Sequence, residues 1–198
     1  AGSFHLKLPK GAALQASLMI DDLASLFGSS GAPDRMGTTV VADVPLSGSV
    51  TGRFSGLLVS SLTYRSPSGL DQSIMRRGVG LGHNYADYVQ FTASVSFLPL
   101  PMTVLKPHLS LLYQGEGDFR DAFPSPYGDH PYLFEGNQER TLRAGAEFST
   151  VLLRGLNLDG DAAVHFVKNA GNVLGVTQSR FVGRLFATYR IGVRGLLQ

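Results

Sequence analysis

The chain has 198 residues, of which 43% are hydrophobic and 16% are charged, and its net charge is only +2. This length suits one domain, and so small a charge without a basic cluster excludes nucleic acid as a partner. There is no cysteine, which excludes disulfides and thiolate metal sites. No stretch reaches the roughly 20 apolar residues of a membrane helix, so a crossing of a bilayer would have to use strands.

Alternation of apolar and polar residues is the dominant pattern, and it predicts β-strands with two chemically different faces. It is clearest in Val89–Phe97, where every odd position is apolar or alanine and every even position is polar. The nine predicted strands are, in chain order, Phe4–Leu8, Ala13–Ile20, Thr38–Val44, Val50–Tyr64, Val89–Phe97, His108–Gln114, Leu142–Leu152, Leu158–Phe166 and Phe181–Ile191. We therefore predict an all-β fold, an antiparallel meander of about 8–10 strands.

The lengths of strands and links favour a membrane barrel. Several segments run about 10 to 15 residues, near or beyond the 9 to 11 of a tilted membrane strand, whereas soluble strands average about 5 or 6. Short links at residues 8–11, 45–49, 98–106 and 153–157 alternate with long ones at 21–37, 65–87, 115–138 and 168–178. Short periplasmic turns that alternate with long outer loops are typical of bacterial outer-membrane barrels.

The chain is thus expected to form one domain over residues 1–198 in the bacterial outer membrane, with lipid against its apolar faces. The residues expected to face lipid are Phe91, Val95, Phe148, Leu185 and Ala187. Aromatic residues near strand ends, among them Tyr113 and Tyr189, suit the interfacial girdles of such barrels. A soluble β-sandwich binding domain, whose strands also alternate, remains an alternative.

Proline positions and the number of strands both bear on this assignment. All ten prolines fall in the links or at the first residue of a predicted strand, Pro107, where a missing N–H costs least. The count of nine is odd, and the first strand starts on the long-loop side, whereas single-chain bacterial barrels have even numbers. Either residues 65–87 contain a further strand, or another segment or chain completes the barrel, and we favour the second. The start at Ala1, Gly2 and Ser3 fits a mature form or an excised fragment.

Charged residues on the polar faces would line the lumen. These residues are Asp43, Arg53, Arg143, Glu147, Asp159, Asp161, His165, Arg180, Arg184 and Arg190. The simpler interpretation is a mutually paired network, because buried charges persist only when they are paired. The alternative is a charged constriction that selects solutes, in which the arginines of the last strand favour anions.

Two further groups of residues bear on other kinds of site. His108 and Ser110 lie two positions apart on one strand, like the base and nucleophile of an outer-membrane lipid deacylase, so a barrel enzyme is the alternative function. The loop acids Glu116, Asp118, Asp121, Asp129 and Glu135 suit calcium chemically but have no regular ligand spacing. We predict no catalytic residue, metal or cofactor.

The long loops at residues 65–87 and 115–138 are the predicted place for ligand contacts, because loops on rigid scaffolds carry most binding sites. Tyr85, Tyr127, His130 and Tyr132 offer flat faces and hydrogen-bonding groups suited to sugar rings. Loop aromatics more often only pack the loop itself.

Three short motifs follow one another in the middle of the chain: Leu62–Arg65, Arg77–Asp87 and Gln114–Asp118. In this order they resemble the tyrosine-bearing strand, the Leu-Gly loop and the Gly-Glu-Gly-like strand end of capsule-assembly outer-membrane proteins of the Wzi type. Asp21 and Asp22 resemble an acidic pair found earlier in such sequences. The resemblance covers about residues 13–120, and it implies that the chain supplies about half of a large barrel that holds surface polysaccharide. The predicted function is therefore non-catalytic, either a pore or a surface-polysaccharide anchor.

Overall fold

Nine long strands form one antiparallel sheet in which each strand pairs with its neighbours along the chain. The structure, a computed structural model, describes residues 1–22, 35–63, 65, 75–76, 79–80, 86–118, 120–122, 130–153 and 155–189. The strands of the sheet are β1 (Gly2–Lys7), β2 (Ala13–Asp22), β3 (Arg35–Ser47), β4 (Val50–Val59), β7 (Tyr88–Leu100), β8 (Thr103–Gln114), β9 (Glu139–Leu153), β10 (Leu156–Lys168) and β11 (Thr177–Tyr189). Two short strands, β5 (Met75–Arg76) and β6 (Val79–Gly80), form a separate ribbon. The prediction of an all-β antiparallel meander is confirmed.

Some predicted boundaries were wrong. The fourth strand ends at Val59 and not at Tyr64, because the chain turns there: the Thr63 amide donates to the Ser60 carbonyl at 3.1 Å. The Ser60 and Thr63 hydroxyls also share a hydrogen bond of 2.6 Å, which fixes this turn. Tyr64 lies outside the described residues. The strand β8 begins five residues before the predicted start at His108, because its turn with β7 consists only of residues 101 and 102.

The expectation that prolines avoid strand interiors was also wrong. Pro45, Pro99 and Pro107 all lie within strands. Pro45 and Pro99 lie next to register shifts near strand ends, where pairing is already irregular. Pro107 lies inside β8, where pairing with β7 stops after Ser94↔His108 and resumes at Phe97↔Leu105. The sheet accommodates this proline, which has no N–H, by interrupting the ladder on that side.

The lengths of the connections distinguish the two ends of the sheet. Links of two to five residues join β1 to β2, β3 to β4, β7 to β8 and β9 to β10, and we call this the short-turn end. Residues 23–34, 60–87, 115–138 and 169–176 connect the strands at the opposite, long-loop end. The predicted alternation of short and long links is confirmed. No helix in the described part of the chain has the length and apolar character needed to cross a membrane.

Cross-strand register gives the sheet one apolar and one polar face. The five residues predicted to face lipid all lie on the apolar face, with Phe91 opposite Gly56 and Leu111, and Phe148 opposite Gly160 and Leu105. The Phe148 ring occupies the space that a Cβ at Gly160 would fill. The Phe91 ring likewise covers Gly56, at 3.6 Å from where a Cβ would lie. Aromatic rings over strand glycines restore apolar cover that glycine lacks.

Burial is reversed relative to a soluble sheet. On interior strands, Phe91 and Phe166 of the apolar face are 55% and 50% exposed, whereas Ser94 and Asp161 of the polar face are 6% and 9% exposed. Contacts between strands in the described residues are essentially those between sheet neighbours, so the sheet is a single layer.

The sheet is open at both edges. Within the described residues, β1 pairs only with β2, and β11 pairs only with β10. All residues of both edge strands are exposed. The β1–β2 link lies at the short-turn end and the β10–β11 link at the long-loop end, so both edge strands run from the long-loop end to the short-turn end.

Candidate functional site

The polar face carries a row of charge pairs across neighbouring strands. Period-two alternation places Asp43 of β3 and Arg53 of β4 on this face, and register sets them opposite each other. The Arg53 guanidinium donates from Nε to Asp43 Oδ1 at 2.6 Å and from Nη2 to Oδ2 at 2.9 Å. Two parallel hydrogen bonds between a guanidinium and a carboxylate hold both side chains in one geometry.

A second group of charged side chains lies on the strands β8, β9, β10 and β11. Lys106 Nζ of β8 donates to Glu147 Oε2 of β9 at 3.0 Å. Arg143 Nη2 of β9 donates to both carboxylate oxygens of Asp161 of β10, at 2.9 Å each. Arg184 of β11 reaches Asp161 Oδ2 at 3.3 Å. Asp161 is nearly buried and joins arginines from the two flanking strands, and Lys106 and Glu147 form a separate pair beside them.

The remaining predicted polar-face residues lie on the same face of the described sheet. Register places Asp159 opposite Ser149, and His165 between Arg143 and Arg180. Arg190 lies outside the described residues. The described sheet thus contains three separate groups of ion pairs, Asp43 with Arg53, Lys106 with Glu147, and Asp161 with Arg143 and Arg184. Lys106 was not among the residues predicted from the sequence. Lys106 was missed because the predicted strand began two residues after it.

The described geometry does not assemble the acyl-transfer pair. Ser110 Oγ shares a 2.9 Å hydrogen bond with Thr92 Oγ1 and accepts one of 3.2 Å from Gln90 Nε2. Neither ring nitrogen of His108 has a hydrogen-bond partner among the described residues. A nucleophile needs its base within about 2.6–3.2 Å, and Ser110 is engaged by a neutral hydroxyl and an amide instead.

His108 lies instead near two carboxylates. One ligand atom each from His108, Glu147 and Asp161 lies within 4.8 Å of the others, a set of donors of the kind that binds transition metals. Lys106, Arg143 and Arg184 already occupy these two carboxylates, so three positive charges face two negative ones. A divalent cation would have to displace these partners and raise a local charge that is already positive, which disfavours metal binding.

A second cluster lies at the long-loop end, where segments far apart in sequence pack around Asp87. The fully buried Asp87 carboxylate accepts hydrogen bonds from the Phe134 amide, from the Glu135 amide at 2.7 Å and from the Gly117 amide at 3.2 Å. Gly115 has to be glycine, because a Cβ there would overlap this carboxylate. Burial raises the pKa of Asp87, and the three amide donors oppose that shift. The two glycines of the Gly-Glu-Gly motif, Gly115 and Gly117, thus leave space for the Asp87 side chain.

Arg65 connects the same loops from the other side. It is nearly buried, and its Nη1 donates to Glu135 Oε2 at 2.8 Å, while Nη2 donates to the Ala122 carbonyl at 3.4 Å. The Ser61 amide donates to the Tyr132 carbonyl at 3.0 Å, so the turn after β4 is also joined to the loop before β9. The described residues at the start of the first predicted ligand-binding loop therefore contact described residues of the second.

The structure describes two of the four predicted sugar-binding residues. Tyr132 and His130 are part-buried in this loop cluster, and His130 Nδ1 lies 3.7 Å from Glu135 Oε1. Tyr85 and Tyr127 lie outside the described residues, and the sugar-binding role of these loops stays a prediction.

Comparisons with protein-family models, with curated proteins and with solved structures find no match for this chain.

Proposed function

We propose that this chain forms part of the wall of an outer-membrane β-barrel pore, with its apolar face toward lipid and its polar face toward the lumen. The reversed burial of the two faces carries this proposal. A soluble sheet covers its apolar face, and a monomeric soluble protein rarely exposes more than a few hundred Å² of contiguous apolar surface. Here Phe54, Phe91, Leu109 and Phe166, all on interior strands, are at least 49% exposed on one face.

Strand length and aromatic positions support the same placement. The strands β3, β7, β10 and β11 have 13 residues each, enough to cross the hydrocarbon layer at a tilt. Tyr113 lies near the long-loop end of the apolar face, and Tyr189 lies at its short-turn end. Rings at both ends of an apolar band are typical of the two headgroup layers.

The polar face suits the wall of a water-filled passage. Several of its charges are paired across strands, and the hydroxyl groups of Thr92 and Ser110 are hydrogen-bonded to each other between them. Such a wall is wettable and carries most of its paired charges away from the sheet edges, which suits a non-catalytic pore.

Fluorescence quenching tests which face meets lipid, and the chain favours the method because it contains no tryptophan. We expect the Phe91→Trp variant in vesicles to be quenched by lipids brominated on the acyl chains and protected from aqueous iodide. The matched variant, Gln90→Trp on the polar face of the same strand, should show the opposite preference if the lumen holds water. Equal quenching at both positions, or a reversed order, would reject the proposal.

A further inference from the structure

We propose that the two open edges of the sheet pair with a partner β-segment of odd strand number, whose two flanking strands carry carboxylates on their polar faces. This inference rests on the proposed function, because unpaired strand edges are not tolerated in lipid. The direction of the two edge strands determines that the number of partner strands is odd. The positive charges on the edge strands indicate that the partner strands carry carboxylates.

The direction argument begins with the edges. Both β1 and β11 run from the long-loop end to the short-turn end. Every pair in the described sheet is antiparallel. To continue this pattern, the strand beside β11 and the strand beside β1 must both run the opposite way. A segment that starts and ends in the same direction, with alternation between, has an odd number of strands.

A second copy of this sheet does not meet the requirement. In the same membrane orientation, its β1 would lie beside β11 in parallel, because the two edge strands share one direction. Pairing of β11 with β11 of a copy would be antiparallel, but it would turn the copy upside down in the bilayer. Direct closure of β1 on β11 would also be parallel. The partner segment therefore differs from these nine strands.

The charge argument compares the interior of the sheet with its edges. Inside the sheet, Arg53 and Lys106 each face a carboxylate on an adjacent strand. At the β11 edge, Arg180 makes no ion pair within the described residues, and the 65% exposed Arg184 side chain shares Asp161 with Arg143. The polar face of β1 carries His5 and Lys7, both exposed.

Both edges thus present lysine or arginine on the polar face, with Lys7 on β1 and Arg180 and Arg184 on β11. Arg180 and Arg184 lie four positions apart, so they lie on one side of the strand with one residue of the same face between them. A partner strand that continues the interior pattern carries Asp or Glu at two positions with the same spacing. Opposite charges directly across a strand pair stabilise it, whereas like charges destabilise it.

The test is site-specific photocross-linking in the membranes of the producing cells. Replacing Phe186 by p-benzoylphenylalanine, an aromatic for an aromatic, places the reactive group on the exposed β11 edge. We expect a cross-linked peptide that lies outside residues 1–198, alternates apolar and polar residues and carries two carboxylates four positions apart. A cross-link to residues 2–7, to a second copy, to a peptide without carboxylates, or to no partner would overturn the inference. The control is the same substitution at Phe148, which should give cross-links within the chain.

Reversing the charge of the two β11 arginines gives a second, quantitative test of the proposed carboxylates. Arg180→Glu combined with Arg184→Glu should lower the cross-linking yield about tenfold, since turning two attractive pairs repulsive costs about 1.4 kcal/mol. Arg180→Lys with Arg184→Lys should leave the yield within about twofold, because the charges remain. An unchanged yield in the reversed variant would contradict the carboxylate assignment. Lipid quenching of Phe91→Trp in the same background reports membrane placement separately, so its loss points to the proposed function and not to the partner.

Discussion

Arginine in place of Ala93 is expected to lower the free energy of unfolding in a bilayer by about 2–4 kcal/mol. Ala93 lies near the middle of β7 on the apolar face, between Phe54 of β4 and Leu109 of β8. In the proposed orientation this position lies near the bilayer midplane, where a guanidinium is most costly. Urea unfolding in lipid vesicles, followed by far-UV circular dichroism, measures the effect.

The matched control is Thr92→Arg, one residue away on the polar face. Thr92 lies between Ser55 and Ser110, so an arginine there meets hydroxyl groups. It loses the 2.9 Å hydrogen bond to Ser110 and the 3.2 Å hydrogen bond that Thr92 accepts from Gln90. Its cost should be about 1 kcal/mol. Equal losses for the two variants, or a larger loss for Thr92→Arg, would contradict the assignment of the faces.

Alanine in place of Asp87 should destabilise the loop cluster by on the order of 3 kcal/mol, because three backbone amides lose their acceptor in a buried site. Asp87 also has a backbone φ of 56°, which aspartate tolerates better than alanine. Hydrogen exchange detects the change directly: the amides of Gly117, Phe134 and Glu135 should exchange about 100-fold faster in the variant.

Asp121→Ala serves as the control in the same cluster. Its carboxylate is largely exposed and lies 4.0 Å from Arg65 Nη2, so its loss should cost less than about 1 kcal/mol. Exchange at the three amides should then stay close to that of the unmodified protein. If Asp87→Ala leaves their exchange unchanged, the described hydrogen bonds to Asp87 do not hold the cluster together.

The sequence was sufficient for the strands because alternation is a local signal. Nine strands, their order and the side of each residue followed from apolar and polar neighbours two positions apart, as in Val89–Phe97. Boundaries were harder, since they depend on turns: β4 ends where Ser60 and Thr63 bond to each other. Pro107 was assigned to a strand start because the local rule does not show that an interior ladder can be interrupted on one side.

The sequence was sufficient to predict which charged residues share the polar face, but not which of them form ion pairs. The pairing of Arg143 with Asp161 depends on the register between β9 and β10, which no residue pattern within either strand specifies. The Asp87 cluster could not be predicted at all. Its three donors are backbone amides from residues 30 to 48 positions away, and amides carry no signal in side-chain patterns.

Polarised infrared spectroscopy of oriented bilayers tests the proposed membrane wall most directly, because it measures how the strands lie relative to the membrane. For the protein in aligned lipid, we expect amide I dichroism that corresponds to strands tilted about 35–45° from the bilayer normal. The account would be contradicted by strands that lie flat on the membrane surface or that show no preferred orientation. It would also be contradicted if the protein remained soluble and did not associate with lipid.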